Sequence, residues 1–427
     1  MREFPEELKT TLLKSLLLGI ALHLLAVFFS TGFHRPDEYL GMIQFMTYKL
    51  GLLPASDLSW EFPAQIRPWA QVWLYYTQTK VLGAIGITNP FHLAFFYRLL
   101  SSMLALFSMF LVSLLIPQYI KSTRFRILAL YSCFSLSYFP FFHARTTAEN
   151  FGITFFIFGL YPLLKTTPPK RISAMMIGLC WGLSFIFRFQ MSFMIAPALI
   201  VFLVKNRSFD FLYSWITGFL LSLALMVWGD HWGYGVWTFT PWNYFYHNII
   251  LGRAGSYGVD PFYYYGLKIF LQGLPPLSLL FMFSFVWWWI KKPTHLLSVI
   301  TLCFFVLHSV VGHKEARFIY GLGAFLPLFI FTMLEELDTR YALSQKKWAK
   351  IIFYLVLIQN FLFLVISSTR PAYGNFNFYK HLYQKEEKIE RIYTLLVNRD
   401  PLKFYLKNPV EWVLVDSEIQ QAQVIST

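Results

Sequence analysis

The sequence is poor in charged residues and in cysteine. Charged residues make up 14% of the 427 residues, whereas hydrophobic residues make up 56% and aromatic residues 20%. This balance excludes an ordinary soluble domain and predicts an all-α polytopic membrane protein. The three cysteines, Cys133, Cys180 and Cys303, lie in apolar segments. We interpret them as small core residues, so they indicate neither a disulfide framework nor a zinc site.

The sequence also lacks the motifs of nucleotide-dependent enzymes and the internal repeats of many transporters. It contains no GxGxxG and no DxD motif, and no repeated segment is visible. The missing repeat argues against an inverted-repeat transporter. The net charge of +14 would suggest a nucleic-acid partner in a soluble protein. Here much of the excess lies in short loops between hydrophobic runs, so we expect no nucleic-acid partner.

Apolar stretches long enough to cross a bilayer predict about eleven transmembrane helices. They occupy 11–31, 91–118, 125–142, 148–164, 172–188, 190–204, 210–228, 266–290, 295–312, 318–334 and 349–368. The first stretch follows Arg2, Lys9 and Lys14, as in a signal peptide, but no small-residue cleavage site comes after it. We therefore interpret it as a retained helix.

The distribution of basic residues predicts the topology. Alternate short loops carry Lys121, Arg124, Arg126, Lys165, Lys170, Arg171, Lys205, Arg207, Lys291, Lys292, Lys346, Lys347 and Lys350. By the positive-inside rule, these loops and the N-terminus are cytoplasmic. We predict a transmembrane domain over 1–370, with long outer loops at 32–90 and 229–265. The tail 371–427 would be a small helix-and-strand appendage on the periplasmic or luminal side.

A cluster of charges follows the first apolar segment: His34-Arg35-Pro36-Asp37-Glu38-Tyr39. Ionisable groups beside a membrane are costly and commonly mark functional sites. Asp37 and Glu38 are therefore candidates for a catalytic base. The alternative is a helix N-terminal cap, because Pro36 suits a first helical position and acids suit that end of the helix dipole.

Cations in the same outer loops are candidates for holding a departing phosphate. His313, Lys314 and Arg317 form one group, and on a helix His313 and Arg317 would share a face. The alternative is an interfacial anchor with internal ion pairs. Arg145 is a further candidate, although a pair with Glu149 closing a helix end is the alternative there.

These motifs, taken in order, resemble those of glycosyltransferase family 22, the Alg9-like mannosyltransferase family of the GT-C superfamily. The matching segments are His34-Arg35-Pro36-Asp37-Glu38-Tyr39, Trp60-Glu61-Phe62, Ile66-Arg67-Pro68-Trp69, His143-Ala144-Arg145-Thr146, Glu149-Asn150, Thr240-Pro241-Trp242-Asn243-Tyr244, Gln272-Gly273-Leu274-Pro275 and His313-Lys314-Glu315-Ala316-Arg317-Phe318-Ile319. The pattern is nearest to the subgroup that adds the third mannose of GPI anchors. Departures at Arg35, Pro68 and Phe187-Arg188-Phe189 leave the acceptor open, and a bacterial member fits at least as well.

The resemblance implies an inverting transfer of mannose from a polyprenyl or dolichyl phosphate donor to a lipid-linked glycan, giving an α-linked product. Asp37 would be the base, with Glu38 shaping its pKa or binding acceptor. The donor phosphate would bind His313, Lys314, Arg317 and Arg145. Substrate-binding or loop-bracing roles fall to His34, Arg35, Glu61, Arg67, Trp69, Trp242 and Asn243.

The same resemblance implies no metal or nucleotide cofactor and a monomer, in a bacterial inner membrane rather than the endoplasmic reticulum. Two alternatives stay open at this point. One is a GT-C enzyme that uses another polyprenyl-phosphate sugar, and the other is a lipid or sugar transporter.

Overall fold

Helices make up most of the structure, a computed structural model that describes residues 4–165, 170–374, 376–385, 389–394, 402–408 and 410–414. The α-helices are α1 (Glu6–Phe29), α2 (Pro36–Glu38), α3 (Gln44–Lys49), α4 (Ala70–Ala84), α5 (Pro90–Ser113), α6 (Ile116–Tyr119), α7 (Thr123–Ser135), α8 (Phe139–His143), α9 (Ala148–Leu163), α10 (Arg171–Phe187), α11 (Ser192–Asn206), α12 (Phe209–Tyr234), α13 (Thr240–Phe245), α14 (Tyr264–Gly273), α15 (Leu277–Lys291), α16 (Leu296–Val310), α17 (Leu326–Tyr341), α18 (Lys347–Thr369) and α19 (Phe376–Gln384).

Shorter elements connect these helices. Two π-helical turns occupy Tyr39–Ile43 and Tyr246–Ile250. The 3₁₀ helices are Ala55–Asp57, Phe189–Met191, Arg253–Tyr257, Ala316–Phe325, Leu343–Gln345 and Lys403–Tyr405. In the tail, β1 (Arg391–Thr394) pairs in parallel with β2 (Glu411–Leu414), so a small strand pair accompanies the helices.

Among the described residues, six helical segments are long and apolar enough to cross a membrane. They are Glu6–Phe29, Pro90–Tyr119, Phe189–Asn206, Phe209–Tyr234, Ala316–Tyr341 and Lys347–Thr369. Three further apolar helices, α10, α15 and α16, are shorter. A multi-pass membrane protein is thereby supported, whereas the count of eleven spans stays a prediction.

Two of the predicted spans are each interrupted by three residues outside any helix, contrary to the continuous helices expected from hydropathy. The stretch 266–290 divides into α14 and α15 at Pro275 and Pro276, and 125–142 divides after Ser135. A break in an apolar layer leaves backbone groups that need other partners. Adjacent amide side chains of α18, Gln359 and Asn360, provide those partners.

The Gln359 amide donates to the carbonyl oxygens of Gly273 (3.0 Å) and Leu274 (2.8 Å), and its oxygen accepts from the Leu277 amide (3.0 Å). Asn360 does the same at the other break: it donates to the Ser135 carbonyl (3.0 Å) and accepts from the Ser137 amide (2.9 Å). One turn of α18 therefore provides hydrogen-bond partners for backbone groups at both breaks.

Close helix packing holds the bundle together around α10 and α12. A side chain at Gly178 would place its Cβ 2.0 Å from the Trp215 carbonyl oxygen, and one at Gly218 would lie 1.9 Å from the Met175 carbonyl oxygen. Only glycine permits backbones to approach so closely, as small residues do at helix interfaces in membranes.

A second core lies under the first outer loop and includes part of the tail. Tyr39 stacks on Tyr405 with ring centroids 6.5 Å apart, and its hydroxyl accepts from the Phe404 amide at 3.3 Å. Lys403 forms an ion pair with Asp57. The tail therefore packs directly behind the segment that carries Asp37.

Candidate active site

A cavity of about 870 Å³ lies where the two outer loops meet the ends of α10 and α16. Its charged lining residues are Arg35, Asp37, Glu61, Arg67, Arg188, Lys314, Glu315 and Arg317. Its apolar lining includes Phe185, Phe189, Phe193, Val311 and Phe318. The cavity is thus amphipathic, with a charged part and an aromatic part.

Asp37 lies in the charged part, between two arginines. Its Oδ2 accepts from Arg317 Nη2 at 2.9 Å and lies 3.3 Å from Arg67 Nη2. A third of the side chain (34%) is exposed. Partial burial by itself would raise the pKa of the Asp37 carboxyl, but Arg67 and Arg317 outweigh it and hold the pKa well below its usual range.

Glu38 points away from the cavity, although it follows Asp37 directly. Its Oε1 accepts from the backbone amides of His34 (2.7 Å) and Arg35 (3.3 Å), and its Oε2 accepts from the amide and the hydroxyl of Thr146 (3.0 Å each). The helix-cap alternative therefore describes Glu38, whose reach back to the residues before α2 is that of a capping box. Glu38 is not among the residues that line the cavity.

Arg67 is fixed by Glu61 in a bidentate pair, with Nε–Oε2 and Nη2–Oε1 distances of 2.8 Å. Burial alone would lower the pKa of the guanidinium, but Glu61 and Asp37 raise it well above its usual range. Arg67 therefore stays charged. The pair braces the first outer loop, and both of its members also line the cavity.

Arg317 is the most heavily paired cation of the site. It donates to Glu315 at 2.8 and 3.1 Å, besides its contact with Asp37, and its Nε lies 3.7 Å from Glu149 Oε1. The same Glu149 oxygen lies 3.4 Å from Arg188 Nη2. Glu149 is buried, and neither of its oxygens has a hydrogen-bond partner among the described residues.

Lys314 and His313 join the cavity to the second outer loop. Lys314 Nζ donates to the carbonyl oxygens of Asp260 (2.7 Å) and Gly312 (3.3 Å), and His313 Nδ1 lies 3.2 Å from the Gly258 carbonyl oxygen. The predicted helical pairing of His313 with Arg317 is wrong, because the 3₁₀ helix begins at Ala316. His313 instead lies 3.6 Å from Glu315.

Arg145 is placed differently from both sequence interpretations. It is buried and donates to the Ser30 carbonyl and hydroxyl oxygens (2.5 Å each) and to the Gly32 carbonyl oxygen (3.3 Å). It does not line the cavity, and it does not pair with Glu149. The reason is local: Arg145 lies in the turn before α9, which begins at Ala148.

The remaining predicted residues brace the loops or lie outside the cavity. Asp230 accepts from the Trp69 amide and from the Thr240 hydroxyl, at 2.7 Å each, and so joins the two outer loops. Asn243 does so as well, donating to the Gln65 carbonyl oxygen at 3.2 Å. Trp242 is half exposed and is not among the lining residues.

His34 and Arg35, the first two residues of the charged segment His34–Tyr39, lie in different surroundings. The His34 ring packs edge-on against Phe141, and burial lowers its pKa. Arg35 lines the cavity, with its Nε 3.4 Å from Glu315. Arg35 therefore belongs to the charged part of the cavity, whereas His34 lies behind it.

Arg188 is the site residue to which sequence analysis gave no role. It lines the cavity, and its guanidinium lies over the Phe318 ring, 4.6 Å from the centroid. A charge between two phenylalanines at the end of an apolar run was the available signal. Its pairing with Glu149, on a different helix, was not visible from the sequence.

Comparisons with known proteins identify relatives of this chain. The family model of the Alg9-like mannosyltransferases matches residues 15–407. Human GPI alpha-1,2-mannosyltransferase 3 is 26% identical over 336 residues, which cover 76% of this chain and 58% of the relative. The probable Dol-P-Man:Man(7)GlcNAc(2)-PP-Dol alpha-1,6-mannosyltransferase of Schizosaccharomyces pombe is 29% identical over 205 residues, 46% of this chain and 36% of the relative.

The fold has a counterpart among solved structures, the crystal structure of ArnT from Cupriavidus metallidurans bound to undecaprenyl phosphate. It is 12% identical, with a TM-score of 0.63 over 97% of this chain and 88% of that one. This likeness supports a GT-C membrane fold. The chain spans between about a third and three fifths of the length of the two curated relatives described above. The family match covers most of the sequence, and the chain belongs to the Alg9-like mannosyltransferase family.

Proposed function

We propose that the chain is an inverting glycosyltransferase that moves mannose from a polyprenyl or dolichyl phosphate donor to a lipid-linked glycan, with an α-linked product. The observation that carries the proposal is Asp37, a partly exposed carboxylate in a cavity that is cationic on one side and aromatic on the other. The aromatic part suits the isoprenoid chain of the donor. The charged part suits its phosphate.

The balance of charge in the cavity favours departure of a phosphate. Five cationic side chains and three carboxylates line it, and the buried carboxylate of Glu149 contacts two of the cations from behind, which leaves an excess of one positive charge. A phosphodiester donor carries one negative charge and its phosphate leaving group carries two. A cation excess therefore stabilises the charge that develops as the sugar–phosphate bond breaks. The departing phosphate needs no general acid.

Asp37 acts as the general base toward the acceptor hydroxyl. In the resting site its low pKa makes it a weak base, because it is paired with Arg67 and Arg317. A donor phosphate would compete with Asp37 for these cations and so increase its basicity once the donor is bound. Donor binding thereby prepares the base for the acceptor.

The phosphate would bind His313, Lys314 and Arg317, together with Arg188. Lys314 and Arg188 are the better-placed donors: among the described residues Lys314 donates to carbonyl oxygens, and Arg188 has a single carboxylate partner, Glu149, at 3.4 Å. Arg145 donates its hydrogen bonds to Ser30 and to the Gly32 carbonyl oxygen, and we assign it a structural role. Glu38 positions Asp37 and does not contact substrate.

The topology proposed from the basic loops has support in two contacts. Arg126 lies 3.9 Å from Glu7, and the Lys121 amide donates to Glu335 at 3.0 Å, so these loops lie at the same end of the bundle as the N-terminus. We propose that this end is cytoplasmic and that the cavity faces the periplasm or lumen. A monomer in a bacterial inner membrane, acting without metal or nucleotide, completes the proposal.

The test is transfer of radiolabelled mannose from synthetic polyprenyl-phosphate-mannose by the purified protein in lipid nanodiscs, with a lipid extract as acceptor source. Asp37→Asn should abolish transfer and leave thermal unfolding unchanged. Asp57→Asn is the matched control, because Asp57 is in the same outer loop and pairs with Lys403 outside the cavity.

The outcomes of this assay distinguish the catalytic base, the donor sugar and the enzymatic activity itself. Label in a new lipid with wild type and Asp57→Asn, but not with Asp37→Asn, and unaffected by EDTA, supports the whole proposal. Transfer only from a donor carrying glucose or an aminosugar would replace the sugar while keeping the base. No transfer by folded protein from any polyprenyl-phosphate sugar would refute the enzyme and favour a transporter.

A further inference from the structure

His308, a histidine that the mechanism above does not use, lies in the wall of the same cavity. It occupies the last turn of α16 and is 3% exposed. Its ring packs against Phe304, Phe193 and Phe318, with centroids 4.1, 5.2 and 6.5 Å away. Contact with three aromatic rings fixes the orientation of the imidazole.

The two ring nitrogens of His308 differ in their surroundings. Nδ1 lies 2.9 Å from the Phe304 carbonyl oxygen. Because a carbonyl oxygen only accepts, Nδ1 carries the proton, and an uncharged ring, which suits this aromatic wall, then has a lone pair on Nε2. Nε2 has no hydrogen-bond partner among the residues that the structure describes.

A buried acceptor of this kind is stabilised when a ligand brings a hydrogen-bond donor to it. An unmet hydrogen-bonding group in an apolar wall is costly, and an isoprenoid chain has no N–H or O–H to offer. The unpaired acceptor therefore points to a hydroxyl-bearing part of a substrate. Among the proposed substrates, that part is a sugar.

The position of His308 indicates which sugar. The Phe318 ring that packs against His308 also carries the Arg188 guanidinium on its face. His308 is thus separated by one aromatic ring from the cations proposed to bind the donor phosphate. Two groups are bonded to that phosphate, the isoprenoid chain and the transferred hexose, and only the hexose carries hydroxyls. At the edge of the aromatic part nearest the cations, the hydroxyl-bearing group is therefore the hexose.

We infer that His308 determines donor specificity by accepting, through Nε2, a hydrogen bond from one hydroxyl group of the transferred hexose. This inference rests on the proposed function. A donor that lacks the hydroxyl, or presents it in the opposite configuration, leaves the buried nitrogen unpaired. Sites built around such a bond discriminate strongly against the analogue that cannot form it.

Two substitutions separate this role from packing. His308→Asn keeps an amide near the position of Nδ1, within reach of the Phe304 carbonyl, but removes the acceptor at the position of Nε2. His308→Gln places its amide near the position of Nε2 and so retains an acceptor there. A purely structural role would not distinguish the two variants by their response to the donor sugar.

The experiment measures kcat/KM in nanodiscs for wild type and both variants. The donors are polyprenyl-phosphate-mannose and four analogues, each lacking one sugar hydroxyl. We expect wild type to lose about tenfold with one particular analogue, and His308→Asn to lose about tenfold with the complete donor. His308→Asn should show no further loss with that analogue, since the two changes remove the same bond. His308→Gln should retain most of the wild-type discrimination.

If the loss caused by His308→Asn and the loss caused by the analogue multiply, the two changes act independently and the inference is overturned. An equal loss of discrimination among the donors in both variants would also overturn it. If His308→Asn fails to fold, His308→Gln decides, because unchanged folding with no selectivity among the analogues contradicts an acceptor role. Absence of mannose transfer by wild type would refute the proposed function itself. An active wild type with unaltered selectivity in the variants would refute only the role of His308.

Discussion

Two pairs of buried arginines lie at the end of the bundle that holds the cavity, and they have opposite kinds of partner. Arg317 and Arg188 face carboxylates, with Glu149 between them at 3.7 and 3.4 Å. Arg145 and Arg98 bind the carbonyl oxygens that end α1, at Ser30 and Val27. A phosphate can replace a carboxylate as partner, whereas a backbone carbonyl is a fixed part of the fold. The partner, more than the burial, separates substrate-binding arginines from structural ones.

Removing Arg188 is the strongest test of this difference between the two pairs of arginines. We expect Arg188→Ala to lower kcat/KM for mannose transfer by about 100-fold, the scale of losing one donor aimed at developing charge. Thermal unfolding should change little, because Glu149 keeps Arg317 as a partner. Activity within twofold of wild type would place the phosphate elsewhere in the cavity.

The opposite result, a loss of stability without a loss of activity, is expected for Arg145, which binds carbonyl oxygens. Arg145→Met should destabilise the folded protein by about 1–3 kcal/mol, because the Ser30 and Gly32 carbonyls lose a charged donor. Transfer per folded molecule should stay within a few-fold of wild type. Thermal unfolding in nanodiscs and active-fraction titration measure the two quantities separately. A stable variant with lost activity would move Arg145 to the substrate-binding group.

A change at Arg67 tests the charge balance around Asp37. Arg67 is one of the two cations that depress the pKa of Asp37, so Arg67→Gln should raise that pKa. In wild type the carboxylate stays ionised as the pH falls through 5, and kcat/KM should have no acid limb from Asp37 there. In the variant the acid limb should move to higher pH. An unmoved limb would mean that Asp37 is not the titrating base.

The smallest effect is expected next to the base, at Glu38. Glu38→Gln keeps the size of the side chain but offers one acceptor oxygen where the carboxylate has two, so either the α2 cap or the Thr146 contact is lost. We expect a loss in kcat/KM of three- to tenfold, from misplacement of Asp37. A loss as complete as that of Asp37→Asn would show that Glu38 takes part in the chemistry.

The family can be predicted from the sequence, because each of its motifs is continuous in the chain. Sequence reasoning failed where a helix was assumed to continue through a turn. The expected pairs Arg145–Glu149 and His313–Arg317 depend on helical spacing, but each crosses the start of a helix. The partners that form instead, such as Arg188 with Glu149, come from different helices and leave no local signal.

The two interrupted spans also depend on partners that are distant in the sequence. Pro275 and Pro276 indicate an interruption of the helix, whereas the hydropathy of 266–290 is that of a continuous span. What makes the break tolerable is Gln359, more than eighty residues later in the chain. Local sequence can report a break, but it cannot report the distant amide that satisfies it.

The position of Gln359 and Asn360 in α18 also has a consequence for biosynthesis. Ribosomes complete the segments around Ser135 and Gly273 well before α18 is made. Until α18 inserts, those peptide groups face lipid or the insertion machinery without their amide partners. The helix made later therefore closes gaps left in the earlier ones, and chains interrupted before α18 would carry a defect that membrane quality control can recognise.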